Sequence, residues 1–312
     1  MQKILFLTGG LGFAGKHYYK KYRKNWDRVI VFDKKTYASD LKFFKKYKRK
    51  KDSLIIGDIC NYKKLYNAMP KNCYVIHFAA ESHVDNSFLS SLIFTKTNAF
   101  GTHTLLEVCR LKQNKKIIII STDEVYGETY GKRKNEKSLL EPTNPYSASK
   151  TSADIISQTY FKCYKMPISI IRSNNLYGEY QYIEKIIPAT INAIHQSPKI
   201  KLKIHGKGLT VRNFLHVSDF SSSIQTVLKK SKAGEIFNVR GKYKIKIIDL
   251  IKYLASIYNV NISKFSKFVK DRPFNDFTYN ISDKKIRSLG WFEKKNFDDE
   301  IKKILKKNLV LK

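Results

Sequence analysis

A short apolar run, Lys3 to Leu7, breaks into Thr8-Gly9-Gly10-Leu11-Gly12-Phe13-Ala14-Gly15, and a helical stretch follows from Gly12 to about Arg23. Glycines so placed allow a tight turn and let backbone N–H groups approach a pyrophosphate at the helix N-terminus. The spacing Gly9-x-x-Gly12-x-x-Gly15 is looser than G-x-G-x-x-G, so alone it also describes an ordinary glycine-rich turn. The next strand narrows it. That strand, Arg28 to Phe32, ends in Asp33, 18 residues after Gly15. An acid at that place accepts from ribose hydroxyls and repels a 2′-phosphate, which favours NAD, while Lys34 and Lys35 keep NADP open.

Strand and helix patterns then alternate. Ser53 to Ile56 leads into Gly57-Asp58-Ile59, where Asp58 either faces an adenine or caps a helix over Asn61 to Met69. Tyr74 to Phe78 ends in Ala79-Ala80-Glu81-Ser82-His83-Val84-Asp85, whose small residues let backbone lie close to a cofactor. A helix from about Ser90 to Leu111 carries Thr97 and Asn98. Such alternation predicts an α/β fold, a Rossmann-type doubly wound parallel sheet with its strand ends on one rim. The cofactor-binding candidates are Gly9, Gly12, Phe13, Ala14, Gly15, Asp33, Lys34, Thr36, Asp58, Ile59, Ala79, Ala80 and Thr97, with Tyr146 and Lys150 further on.

The run Ile117 to Ile120 reads as a strand buried on both faces, and it delivers Ser121-Thr122-Asp123-Glu124-Val125-Tyr126-Gly127 to that rim. After a polar loop, Tyr130 to Asn144, Asn144-Pro145-Tyr146 opens a helix in which Tyr146 and Lys150 stand at i and i+4, on one face. An ammonium beside a phenol favours phenolate, so Lys150 is expected to lower the pKa of Tyr146 and make it a base. A bare Y-x-x-x-K also describes two side chains on a wet helix, and Asp123-Glu124 also describes a turn cap and a surface acid. Strict strand alternation aims neighbouring side chains oppositely, so joint action by Asp123 and Glu124 requires the backbone to turn after Thr122.

Pro167 to Arg172 reads as a sixth strand that delivers Ser173-Asn174-Asn175 to the same rim, and the regular alternation weakens after about Leu176. The expected division is a cofactor-binding unit over 1–175 plus about 213–240, and a smaller C-terminal α+β lobe over about 176–212 and 241–312. Cys60, Cys73, Cys109 and Cys163 are widely spaced with no C-x-x-C, which points to neither a metal site nor a disulfide framework. Met1 to Thr8 pass straight into Gly9 without a leader pattern, and no apolar run approaches a membrane span, so a reducing, cytoplasmic setting is expected. Lys+Arg of 60 against Asp+Glu of 26 gives +34. The lysines are spread along the chain, densest at Lys42 to Lys51, as a compositional bias places them, so no dedicated nucleic-acid partner is expected.

TGGLGFAG, HFAAESHVDNS, TNAFGT, STDEVYGE, PYSASK, RSNNLYG, VRNFLHVSD, DRPFND and KKIRSLGW together resemble the extended short-chain dehydrogenase/reductases. Within them the chain looks like the nucleotide-sugar 4,6-dehydratases of the dTDP-glucose type, and the resemblance runs nearly end to end. Thr122-Asp123-Glu124 discriminates, because epimerases of similar fold lack the adjacent acid pair.

The resemblance implies NAD as cofactor, a nucleotide-diphosphate sugar as substrate and a homodimer built on helices near 98–111 and 146–164. It implies that Tyr146, with Thr122 and Lys150, takes the proton of the sugar 4-hydroxyl, that Glu124 removes the C5 proton, and that Asp123 protonates the leaving C6 hydroxyl. Adjacency of two acids separates their protonation steps, as this division of labour needs. It further implies that Lys185, Arg212 and Arg272 hold the diphosphate with Asn174 and Asn238 nearby. Tyr279, His205, Ser82, Asp85 and Asn175 are additional candidates, Ser82 for substrate or cofactor. The chain departs from the pattern at Gly178-Glu179 and Ile183-Glu184-Lys185, where relatives carry prolines that stiffen the loop. His205 stands where bacterial relatives often have Tyr. The NNLYG and IHG forms look more like the eukaryotic branch, which includes UDP-glucose 4,6-dehydratases, so thymine and uracil both stay open. A 4-epimerase or decarboxylase on the same scaffold is the alternative enzyme; a non-catalytic NAD- or nucleic-acid-binding protein is the alternative of another class.

Overall fold

The computed structural model describes residues 2–306 and the backbone of 310–311. Its centre is a seven-stranded sheet whose pairings are all parallel. Six of its strands come in chain order: β1 (Ile4–Thr8), β2 (Arg28–Asp33), β3 (Ser53–Ile56), β4 (Tyr74–His77), β5 (Lys116–Thr122) and β6 (Ile168–Ser173). The seventh, Ile236–Val239, lies outside β6, and across the sheet the order is Ile236–Val239, β6, β5, β4, β1, β2, β3. The chain winds from β1 toward β3, then returns to β4 on the other side of β1. The reversal leaves a crevice between the carboxyl ends of β1 and β4, where open α/β sheets bind ligands.

Period-two alternation covers both faces. Leu5, Leu7, Val29, Val31, Ile76 and Ile118 pack on one side with Tyr18 and Tyr19 of helix α1 (Phe13–Tyr22) and Phe220 and Ile224 of the helix Val217–Lys230. Phe6, Ile30, Phe32, Val75, Ile117 and Ile119 pack on the other with Leu105, Leu106 and Val108. Burying both faces is what makes these strands read as continuous apolar runs.

Beyond β6 the chain builds a smaller layer. Val211–His216 pairs antiparallel with Tyr243–Lys246 and parallel with Asn175–Tyr177, and Leu202–His205 pairs with Ser266–Val269. Two local expectations change. The single helix expected from Ser90 to Leu111 is instead Val84–Leu89, Ser91–Phe94, a π-helical turn Thr95–Phe100 and Gly101–Lys112. That wider turn holds Asn98 inward, its amide clamped to Glu81 N and O and to Ser149 Oγ at 2.8–3.0 Å. Asp58 does not cap the next helix: Asn61 does, accepting from Lys64 N, and Asp58 pairs with Lys34 at 2.9 Å. Among the described residues, no helix is long and apolar enough to cross a membrane.

Candidate active site

The backbone turn that the acid pair requires is present. β5 stays extended through Thr122 and then winds into a 3₁₀ turn, Asp123–Tyr126. Thr122 Oγ1 caps the turn by accepting from Glu124 N at 3.3 Å. Gly127 closes it at φ +61°, where a Cβ would lie 2.0 Å from the Glu141 carbonyl oxygen, so only glycine fits. Both carboxylates therefore point into one cleft with Thr122, Tyr146 and Lys150.

Their electrostatics differ. Asp123 is buried and accepts from the Asn174 side-chain amide and from Thr122 Oγ1. Burial first, then the Glu124 charge, raises its pKa to about 7 against those hydrogen bonds and the Arg212 charge. Glu124 is half-buried, with Asn144 Nδ2 3.4 Å from Oε2. Burial raises it too, and the Arg212 charge opposes the rise. An acid that keeps its proton near neutrality thus stands next to a second carboxylate, the split a paired acid and base need.

Tyr146 and Lys150 come from the helix Pro145–Tyr164, closed by a capping box of Asn144 and Ser147 with Pro145 in the first turn. The expected lowering of the Tyr146 pKa is not what the structure produces. Burial and then the Glu124 charge push the phenol up, with a hydrogen bond to Thr122 opposing. Lys150 points its ammonium at the Ile120 carbonyl, 2.6 Å away, and burial lowers its pKa to about 8. Burial of the phenol is the main reason the direction reverses, and the charges of Glu124 and Asp123 add to it.

At the other end of the cleft the glycine turn makes a cradle for a dinucleotide. Gly9 has φ +65°, and a Cβ there would sit 2.5 Å from Ala79 N; one on Gly15 would sit 2.3 Å from Gly9 O. Gly12 caps α1 without a side-chain bond and with no acid in the first turn, and its Cβ would meet only Gly9 O, at 3.3 Å. Helix N–H groups so exposed fit a diphosphate. Asp33 accepts from Leu11 N, Lys35 N and Ser39 Oγ at 2.8–3.0 Å, which fixes the loop behind the cradle. Ser121 Oγ, buried without a partner, lines the cleft between the two ends. Phe13, Ala14, Lys34, Thr36, Asp58, Ile59, Ala79, Ala80 and Thr97 line it as well, so all the expected cofactor residues converge, and they fit NAD.

The expected substrate residues divide. Ser82, Asn174, Asn175 and Lys185 line the cleft, with Lys185 Nζ donating to Ser82 O at 2.7 Å. The other six, Arg212, Arg272, Asn238, Tyr279, His205 and Asp85, are not among its lining residues. Arg212 gives its N–H groups to the carbonyls of Val211, Asp276 and Phe277 and stacks 4.6 Å from the Tyr279 ring, so here it holds the loop beside the acids by its donors and acts on them by its charge. Tyr279 OH donates to Asp276 Oδ2 at 2.6 Å. Arg272 is engaged by Asp85 through two bonds of 2.6 and 3.2 Å, and His205 lies 3.7 Å from the same carboxylate. Asn238 is wholly buried and accepts from Tyr126 OH at 2.9 Å, behind the acid pair and not in front of it.

Three supporting residues escaped the sequence reading. Asn144 joins the Tyr146 helix to Glu124, and N-x-x-S ahead of a helical run was the available signal. Arg172 and Asp154 form a buried bidentate pair at 2.8 and 2.9 Å, and Arg172 Nη1 donates to Tyr126 OH at 2.7 Å. Nothing local marks that pair, because its members meet only once β6 lies under the helix.

The family model described as GDP-mannose 4,6 dehydratase matches residues 6–304. Human dTDP-D-glucose 4,6-dehydratase is 38% identical over 97% of this chain and 89% of its own length. The trifunctional UDP-glucose 4,6-dehydratase/UDP-4-keto-6-deoxy-D-glucose 3,5-epimerase/UDP-4-keto-L-rhamnose-reductase of Arabidopsis thaliana is 38% identical over 97% of this chain and 46% of its own. The crystal structure of a Streptomyces venezuelae dTDP-glucose 4,6-dehydratase with NAD bound superposes with a TM-score of 0.93 at 32% identity, covering 97% of this chain and 96% of that one. With the acid pair turned into the cleft and such likeness along nearly the whole length, the chain belongs to the GDP-mannose 4,6 dehydratase family, among its extended short-chain dehydrogenase/reductases of the dTDP-glucose 4,6-dehydratase type.

Proposed function

We propose that this protein is an NAD-dependent nucleotide-sugar 4,6-dehydratase that converts dTDP- or UDP-glucose to the 4-keto-6-deoxy sugar. The observation that carries the reading is the turned Asp123-Glu124 pair, with Asp123 raised to about 7, in one cleft with Tyr146 and the glycine cradle. Bound NAD supplies a two-electron acceptor for C4 and gives the same electron pair back at C6. Gly9, Gly12 and Gly15 hold its diphosphate, and Asp33 faces its adenosine ribose.

The protein's own residues move the protons. Tyr146, hydrogen-bonded to Thr122, would take the proton of the 4-hydroxyl as C4 is oxidised, acting as phenolate when the positive charges of Lys150 and bound NAD outweigh the burial that holds its pKa up. The 4-ketone acidifies C5–H, and Glu124 removes that proton. Asp123 gives its proton to the C6 oxygen, which departs as water, and Glu124 returns a proton to C5 when C6 is reduced. Asn174 orients Asp123, so its part here is to aim the acid. Lys185 and Ser82 face the substrate, and Arg272, on release from Asp85, meets the diphosphate.

A homodimer goes with this reading. Leu92, Phe100, Leu111, Ile155 and Tyr164 are large apolar side chains left exposed on the helices 91–112 and 145–164, the area a second copy covers. A cytoplasmic setting goes with Cys60, Cys73, Cys109 and Cys163, all free thiols in the structure.

The test is to supply the purified protein and NAD with each nucleotide sugar, compare kcat/KM and weigh the product. Loss of one water supports dehydration. A product of unchanged mass would indicate a 4-epimerase, and salt-sensitive nucleic-acid binding without turnover would indicate a binding protein.

A further inference from the structure

The segment from Gly178 to Lys185 crosses the crevice. Its Glu179 and Tyr180 carbonyls accept from His17 Nε2 and Lys16 Nζ of α1, each at 2.8 Å. Glu184 Oε2 accepts from Tyr37 OH at 2.9 Å, and the Tyr182 and Tyr37 rings meet edge to face at 5.2 Å. At its far end Lys185 Nζ donates to Ser82 O, and the Glu184 carbonyl oxygen lies 3.2 Å from His83 Nε2. The segment therefore touches the helix after β1 and the loops after β2 and β4, the three strands around the switch-point crevice. A dinucleotide lying in that crevice has the segment above it.

The two sides of this crossing are held in different ways. The turn that carries Tyr37 is tied down by Asp33, and Asp40 N donates to Leu11 O at 2.9 Å. The Gly178 to Lys185 stretch contains no proline and has positive φ at Gly178 and Tyr180. On α1 it hangs from main-chain carbonyls, Gln181 and Tyr182 pair in parallel with Val310 and Leu311, Gln181 Nε2 donates to Leu176 O at 2.8 Å, and the segment meets the Tyr37 turn through one phenol–carboxylate bond and the Tyr182–Tyr37 ring contact. We propose that Tyr37 and Glu184 form a latch across the crevice that retains the cofactor. The proposal rests on the dehydratase reading, in which electrons taken from C4 return to C6 of the same molecule. A cofactor that escaped between those steps would strand a half-reacted sugar, so slow release serves this reaction in particular.

Tyr37→Phe removes only the hydroxyl, and Glu184→Gln keeps the shape while removing the charge. The readout is the rate at which NAD leaves the purified holoprotein, followed by chase with a competing dehydrogenase, beside the melting temperature of the cofactor-free form. A hydrogen bond to a charged group, discounted because Tyr37 is 55% exposed, predicts release about fivefold faster in Tyr37→Phe. Glu184→Gln should release NAD at an intermediate rate, and the double variant no faster than Tyr37→Phe. Melting of the cofactor-free forms should stay together, which separates a latch from general loosening. Release within twofold of wild type in both single variants, or single effects that multiply in the double variant, would overturn the latch. Wild-type protein that takes up no NAD would remove the cofactor reading itself and the latch with it.

Discussion

Asn144 closes the N-terminus of the Tyr146 helix with its side-chain oxygen, which accepts from Ser147 N at 2.9 Å, and offers its amide to Glu124 Oε2 at 3.4 Å. One residue thus fixes the helix of one reacting group and leans on the carboxylate of another. Asn144→Ala should cost about 1 kcal/mol of stability through the lost cap and slow proton exchange at C5 roughly fivefold. Asn144→Ser keeps the cap and drops the amide, so its melting should return to near wild type while exchange stays slow. Denaturation and deuterium incorporation at C5 separate the two roles, and full recovery of exchange in the serine variant would assign Asn144 to capping alone.

The Asp123 pKa has a consequence for stability. Its folded value, about 7, lies above the ordinary 3.8, so between those values the folded protein binds more protons than the unfolded chain. Stability contributed by the protonated form is therefore full below about pH 4 and is lost as pH rises through 7. The displacement corresponds to about 4 kcal/mol. Asp123→Asn lacks this dependence: it should melt higher than wild type at pH 8, with the gap shrinking toward pH 4, and it should lose dehydration about a hundredfold or more. Equal melting of the two proteins across that range would refute the raised pKa.

Glu124→Gln and Tyr146→Phe divide the reaction. Without the Glu124 carboxylate, C4 oxidation should proceed and solvent exchange at C5 should fall at least a hundredfold. Without the Tyr146 hydroxyl the first oxidation itself should fail, seen as no absorbance from reduced cofactor in a single turnover. Undiminished turnover in Glu124→Gln would reject its role as base.

The parts of this site that are contiguous, or that recur at fixed spacing, were readable in advance. The glycine turn, Asp33 at a strand end, the acid pair and Tyr146 with Lys150 are each set within one element or one crossover, and helix and strand periods carry such information. Lys16 shows where that stops. In Phe13–Tyr22 it looks like one more wet lysine, yet it is 1% exposed, paired with Asp40 at 2.8 Å and bonded to Tyr180, 164 residues on. Arg212 shows a related limit: the resemblance implies a diphosphate ligand, and only the fold reveals that the carbonyls of Val211, Asp276 and Phe277 accept from its Nη1 and Nη2. The Tyr146 pKa rises instead of falling because helix spacing counts Lys150 and cannot count the burial of the phenol, nor Glu124, which arrives from another element.

Behind the acid pair, Arg172 binds Asp154 by two bonds and Tyr126 by a third, joining β6, the Tyr146 helix and the turn that aims both carboxylates. Arg172→Ala leaves the Asp154 carboxylate buried without its cation and with only the Gln158 side-chain amide donating to it, which should destabilise the fold by about 3–5 kcal/mol. Tyr126→Phe removes one hydroxyl from the brace and should cost about 1 kcal/mol. Urea denaturation at pH 7 measures both, and a nearly neutral Arg172→Ala would mean that Asp154 finds another partner or takes up a proton.

Gly12 and Gly15 look alike in the sequence and do different work in the fold. A methyl on Gly15 would stand 2.3 Å from Gly9 O and 2.8 Å from Gly10 Cα, inside the turn's own backbone. Gly15→Ala must therefore spread the turn, at roughly 1–3 kcal/mol of overpacking, and lose NAD along with stability. A methyl on Gly12 meets only Gly9 O, at 3.3 Å, from an extended backbone any residue adopts, and otherwise faces the open cleft. Gly12→Ala should melt within about 1 kcal/mol of wild type without cofactor yet bind NAD at least tenfold more weakly, because the methyl stands between the α1 N–H groups and the diphosphate. Calorimetric titration with NAD beside thermal denaturation of the cofactor-free protein reads the difference. Unchanged affinity in Gly12→Ala would place the diphosphate elsewhere than at the start of α1.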